Sequence, residues 1–325
     1  MADADPLSAA NPQSFTFFHR TPTSSTMSKP CLIDTFLHPM ARKAAVCAIW
    51  VGCVSCCSPF TVALDVSETA SSETPTPQYP LAVAVDGNDV YTVDLDLPGI
   101  WKTTPEGRQL FARGSNLLRQ TLNRPRPITL HPSGGILVGD SATREIYRIA
   151  SANAEPEPLN DGYLGIPMAL AVDPAGKTLY VGDAERRALF RLPVEGGKPE
   201  LVARVNARGL AFDPDGKLWA VTPDDDAVVR IDVETNEVTP VVTGRPYQYV
   251  NGLAWAGGHG YVTDIYSNAI WKVTADGKTE KWFEGDPLVG PVGITATETS
   301  VFVADPKVKQ VFEINLETKE VKERL

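Results

Sequence analysis

The sequence predicts an all-β fold, a six-bladed β-propeller with four antiparallel strands per blade over residues 81–325, preceded by a signal peptide and a disordered spacer. Three observations carry it. One unit recurs six times at a spacing of about 40 residues, the signature of a stacked repeat. An aspartate closes the second strand of five of the six units. The third strands alternate apolar and polar residues, as half-buried strands do.

The repeat is plainest in the first strands: Leu81-Ala-Val-Ala-Val85, Pro127-Ile-Thr-Leu130, Met168-Ala-Leu-Ala-Val172, Gly209-Leu-Ala-Phe212, Gly252-Leu-Ala-Trp255 and Gly293-Ile-Thr-Ala296. Their small and aliphatic side chains suit the crowded centre of a propeller. Asp94 recurs as Asp140, Asp183, Asp264 and Asp305, at intervals of 46, 43, 81 and 41 residues. The interval of 81 is a double step across the fourth unit, where Thr222-Pro223-Asp224 stands instead. Third strands such as Ala188-Leu-Phe-Arg-Leu192 and Ile270-Trp-Lys-Val273 supply the alternation. One blade cannot bury both its faces, whereas six around an axis bury a continuous core. The last unit supplies its own fourth strand, Glu320 to Leu325, so the ring is expected to close by blade-to-blade packing without a strand shared between the ends.

The chain has 325 residues, 43% of them hydrophobic, enough for a large core. The net charge is -10, and the first 63 residues hold four Lys and Arg against three Asp, which leaves about -11 for the remainder. That excess repels phosphate backbones and argues against nucleic acid as a partner. All five cysteines (Cys31, Cys47, Cys53, Cys56 and Cys57) precede the repeats, which therefore hold no disulfide of their own. Only His131 and His259 fall within the repeats, both just after first strands, at the end opposite the loops described below. Zinc binding or histidine catalysis has little to draw on.

The N-terminal region divides by composition. Residues 1–39 fit no targeting pattern and read as an upstream mis-start or a disordered segment, with Met40 or Met27 as the natural start. Met40-Ala-Arg-Lys43, the uncharged run Ala44 to Cys57 and Ser58 to Ala63 follow the order of a secretory signal, with cleavage expected before Leu64. Export to a periplasmic or extracellular compartment follows, with no membrane span in the mature chain. An uncleaved anchor is the alternative. Residues 64–80, rich in Ser, Thr, Pro and Glu, read as a disordered linker.

In a four-stranded blade, the segment before the first strand and the loop between the second and third strands emerge at one end, where a site would sit. The positions just before or at the start of the first strands are Leu81, Arg126, Met168, Arg208, Asn251 and Val292. Arg126, Asn206, Arg208, Asn251, Tyr266 and Asn268 are the candidate ligand-binding residues, for a small molecule, a glycan or a protein. Each has a plainer reading. The recurrent Asp suits a turn device that accepts backbone N–H bonds, Arg126 and Arg208 suit counter-charges to loop carboxylates, and the tryptophans suit packing between blades.

The unit Gly209-Leu-Ala-Phe212, Asp213-Pro-Asp-Gly216, Lys217-Leu-Trp-Ala-Val221 and Val228-Val-Arg-Ile-Asp232 resembles the NHL repeat and the related senescence-marker/gluconolactonase propellers, over essentially all of residues 81–325. Asn251-Gly-Leu-Ala-Trp255 with Asp264 and Ser267 is similar to the segment that carries the metal-binding asparagine in gluconolactonase-type enzymes. The resemblance implies calcium or another divalent cation at Asn251 and Asp264, by hard oxygen ligation. Asn206-Ala-Arg208 resembles the substrate-contacting stretch with the order of its polar pair exchanged. The family's further glutamate and aspartate ligands are replaced, by Tyr79-Pro80-Leu81 and by Val292. Two functions follow: a non-catalytic binding module, or a lactonase-like hydrolase with an incomplete or rearranged metal site.

Overall fold

The computed structural model describes residues 76–160 and 162–325. The upstream segment, the signal region and most of the linker lie outside these residues. Six separate sheets of four strands follow one another, each strand pairing with its neighbours in sequence. The first blade comprises Pro80–Asp86, Asp89–Asp94, Gly99–Thr104 and Gly107–Arg113, and the last Ile294–Ala296, Ser300–Asp305, Gln310–Asn315 and Val321–Glu323. Both are complete within their own stretch of chain, so the ring closes by packing alone, as the sequence predicts.

Burial is organised by the gaps between blades. Each of six hydrophobic clusters joins one blade to the next. Blades one and two share Tyr91, Ile100 and Phe111 with Ile136, Val138 and Tyr147. Trp219 of blade four lies against Trp255 of blade five, ring centres 4.6 Å apart. At the seam, Val83 and Val90 of the first blade meet Phe302, Ala304 and Val311 of the last. Since a lone blade would leave these faces in water, the transfer of apolar area that stabilises the fold is available only when the ring is complete.

The recurrent aspartates fix where each inner strand begins. Asp94, Asp140, Asp183, Asp264 and Asp305 are fully buried. Each accepts two N–H bonds from the segment leading into its own blade's first strand: Asp140 from Asn123 and Arg124 at 2.9 and 3.1 Å, Asp183 from Gly165 and Ile166, and Asp305 from Val289 and Gly290. Four of the five also accept an N–H from the loop they open, such as Ala142 onto Asp140 at 2.8 Å. That loop ends on a left-handed residue, Arg144, Arg187, Asn268 or Lys309, as a short hairpin with a bulge requires.

Just beyond the lead-in, four inner strands carry a β-bulge at one level, beside Leu81, Arg126, Met168 and Asn251. A bulge adds one unpaired residue and re-aims its side chain. The chain therefore turns equivalent residues of successive blades toward the axis.

Asp140→Ala strands buried N–H groups and is expected to cost about 3 kcal/mol, with Asp140→Asn near half of that. Urea midpoints of the full-length chain measure it. A loss below about 1 kcal/mol for the alanine variant would contradict the role assigned to the carboxylate.

Candidate functional site

Six equivalent positions, one per blade, ring the mouth of a central cavity of about 560 Å³: Leu81, Arg126, Met168, Arg208, Asn251 and Val292. Beneath them the wall is apolar in every blade: Val83, Ile128, Leu170, Leu210, Leu253 and Ile294. Two residues above, Tyr79, Ile166 and Tyr249 extend the wall outward. Tyr249 stacks at a tilt on Tyr266, ring centres 5.3 Å apart, and Tyr266 is largely exposed at the rim.

The ring is not uniform. Val292 and Leu81 are neighbours across the seam and form an apolar arc. Arg126, Arg208 and Asn251 lie on the other side, with Met168 between the two arginines. Among the described residues, neither Arg126 nor Arg208 takes part in an ion pair. Three arginines of the surrounding loops do: Arg144 with Glu185, Arg187 with Asp224 and Arg245 with Asp225, at 2.7 to 3.1 Å. Arg126 donates from Nε to Ser141 Oγ at 3.0 Å. Burial, then the like charges of Arg124 and Arg208, push its pKa below the ordinary arginine value. Three of the loop carboxylates expected to neutralise the channel arginines, Glu185, Asp224 and Asp225, are thus engaged by other arginines. Glu185, the one carboxylate on the cavity wall among the described residues, is held by Arg144.

The two candidate cation ligands are not brought together. Asn251 lines the cavity. Asp264 is turned into its blade, where its oxygens accept the N–H groups of Gln248 and Tyr249 at 2.9 and 2.8 Å. Burial opposes ionisation of Asp264, but bonds from Gln248, Ser267 and Tyr249 outweigh it and hold its pKa below the ordinary value. Both of its oxygens thus face donors of its own blade. Among the described residues no three His, Cys, Asp or Glu side chains converge to hold a metal ion. A divalent cation at the mouth would have one amide oxygen from Asn251, three apolar neighbours and two guanidinium groups. Calcium takes six to eight oxygens, so the donor set does not fit it.

Asn206 and Asn268 occupy other surroundings. Asn268 is the left-handed end of its hairpin, and its amide, turned to donate, reaches the carbonyls of Val289 and Ile265. Asn206 lies two residues before Arg208 in the blade without the buried aspartate. There Thr222 Oγ1 bonds within its own loop, to Asp226 O and from Asp224 N. Asn206 is 4% exposed, and its Oδ1 has no hydrogen-bond partner.

The chain matches no protein-family model and no curated protein sequence. Solved structures do resemble it. Virginiamycin B lyase from Staphylococcus aureus superposes with a TM-score of 0.58 at 14% identity, covering 76% of this chain and 84% of that one. A chain of a nidogen/laminin complex gives 0.59 at 15% identity over 75% and 90%. A putative gluconolactonase gives 0.59 at 17% identity over 78% and 92%. What they share with this chain is the fold. The likeness to NHL and gluconolactonase-type propellers holds at that level.

At the opposite end, His131 takes the place that Asp173 and Asp213 hold in the corresponding turns, and Nδ1 accepts the Ser133 N–H at 3.1 Å. It is 3% exposed, and its Nε2 lies 3.6 Å from Glu195 without a hydrogen bond. Burial, then the charge of Arg148, lower its pKa against the pull of Glu195. The unfolded chain takes up a proton near pH 6.5 that the folded site refuses. Stability is therefore whole above that pH and declines below it, until the folded site is protonated too. His131→Asn keeps the acceptor and removes the titration. Urea midpoints between pH 7.5 and 5 are expected to fall less for this variant than for the parent, and equal falls would refute the assignment.

Proposed function

We propose that the chain is an exported propeller that binds a small molecule, a glycan or a protein at the mouth of its central channel, without metal-dependent hydrolysis. One observation carries this reading. Three polar ring side chains, Arg126, Arg208 and Asn251, face a cavity large enough for a small ligand, and the two arginines lack carboxylate partners among the described residues. Buried or half-buried polar groups are ordinarily satisfied, so such a set is suited to a partner from outside. The fold accommodates both kinds of partner. One neighbour is a virginiamycin B lyase, and another is found in a nidogen/laminin complex.

Export rests on the basic, apolar and small-residue segments of residues 40–63. N-terminal sequencing of the protein recovered from its natural host is expected to begin at Leu64.

The hydrolase reading has Asn251 in its favour, since that residue does line the cavity. It lacks the carboxylates that would complete a cation site, whose places are held by Leu81 and Val292. Calorimetric titration of the full chain with calcium is expected to give no heat, and gluconolactone to turn over no faster than in buffer. A Leu81→Glu, Val292→Asp double variant is expected to gain calcium binding with a Kd on the order of 10⁻⁴ M. The gain should vanish when Asn251→Ala is added. Calcium-dependent lactone hydrolysis by the parent chain would overturn the binding-module reading.

A further inference from the structure

The ring at the mouth has two unlike sides, and the difference specifies a class of ligand. Going round the axis, blades six and one contribute Val292 and Leu81, which pack next to each other across the seam. Blades two and four contribute Arg126 and Arg208, and blade five Asn251. Three blades thus show that an aliphatic or thioether side chain fits this position. Two place a guanidinium there instead, at the edge of a cavity whose deeper wall is apolar throughout.

Two like charges at one half-buried mouth raise the free energy of the empty protein, since each is partly desolvated and neither makes an ion pair among the described residues. The paired arginines nearby show that the surface does not lack carboxylates. Three of those at this end are already engaged: Glu185 by Arg144, Asp224 by Arg187, Asp225 by Arg245. The arrangement is complementary to an anion from solution. Guanidinium groups present planar N–H donors that match carboxylate geometry, and a partly desolvated site strengthens the attraction. Tyr79 and Tyr249, just outside the ring, add aromatic surface to the cavity wall, and the Leu81 and Val292 arc adds aliphatic surface, for the body of such a ligand.

We propose that the channel mouth takes a small organic carboxylate, its anionic group between Arg126 and Arg208 and its apolar or aromatic body against Leu81, Val292 and the flanking tyrosines. The proposal rests on the reading of the channel as a ligand site and adds the charge and shape of the ligand. Asn251, on the polar side, is placed to meet a hydroxyl or carbonyl on the same molecule.

Three probes of graded chemistry test it on the full-length chain at low ionic strength: phenylacetate, its neutral counterpart phenylacetamide, and inorganic phosphate. Calorimetry is expected to detect phenylacetate and to show binding at least tenfold weaker for the other two. Arg126→Met and Arg208→Met copy the residue at Met168, so they suit the ring sterically, and each is expected to weaken phenylacetate at least tenfold. Without ligand, each variant is expected to melt about 2–4 °C above the parent, because a like-charge repulsion is removed from a domain of some 250 residues. Equal binding of the amide would overturn the charge recognition. Equal binding of phosphate would overturn the apolar side, and silence with all three probes would overturn the inference outright. The broader reading fails separately. A neutral ligand displaced by Asn251→Ala would keep the channel as the site while removing the anion, whereas calcium-dependent lactone turnover would remove the binding module itself.

Discussion

Five buried carboxylates set the geometry on which the rest of this propeller depends. Taking an aspartate out of water is unfavourable unless its oxygens find donors. Here the donors are the N–H groups of the lead-in segment and of the loop that follows. Charge-assisted bonds of this kind are among the stronger in proteins, and they act between segments about 16 residues apart in sequence. Each one stops the incoming chain at a defined height above its own blade. In four of these five blades a bulge then follows, beside the residue that lines the channel. Repetition of a local bond thus becomes a ring of side chains at one level, with no long-range contact needed to align them.

Blade four shows what happens when the device is missing. Thr222 cannot bridge to the lead-in segment, and its hydroxyl serves the adjacent loop. Asn206 is left buried with an unsatisfied oxygen in the segment that elsewhere is tied down. Arg208 nevertheless reaches the ring, because its own N–H bonds to Val221 O at 2.8 Å and Gly209 pairs with Val221. Backbone pairing alone holds this strand start, and the clusters shared with blades three and five hold the blade. The least constrained lead-in therefore carries one of the two channel arginines.

Much of this was legible in the chain because repeats report themselves. The spacing of Asp94 through Asp305 revealed the blade count, the turn role of those residues followed from their position at strand ends, and the six ring residues followed from counting back from each first strand. Pairing between blades was not legible. Sequence proximity places Arg126 and Arg208 among loop carboxylates, but three of those carboxylates meet arginines of neighbouring loops instead, Asp224 meeting Arg187 across 37 residues. Asp264 looked available beside Asn251 for the converse reason. The resemblance to gluconolactonase-type enzymes offered it as a cation ligand, and only the hydrogen bonds from Gln248 and Tyr249 reveal that its oxygens face the lead-in. Which way a carboxylate points is decided by donors that a sequence does not display.

The division of labour within a blade explains how so little identity can preserve the fold. Aspartates, turn glycines and interblade apolar residues carry the architecture, and each acts within a blade or between neighbours. The ring positions carry almost none of it, since leucine, methionine, valine, asparagine and arginine all stand there in one molecule. A ring position can therefore change its charge without disturbing a strand. Structures sharing this fold at 14 to 17% identity keep the sheets while their channel chemistry is free to diverge. In this chain the freedom has been used to place two cations and an amide opposite a hydrophobic arc. That combination adds nothing to the stability of the empty ring, and it is complementary to a molecule that is negative at one end and apolar at the other.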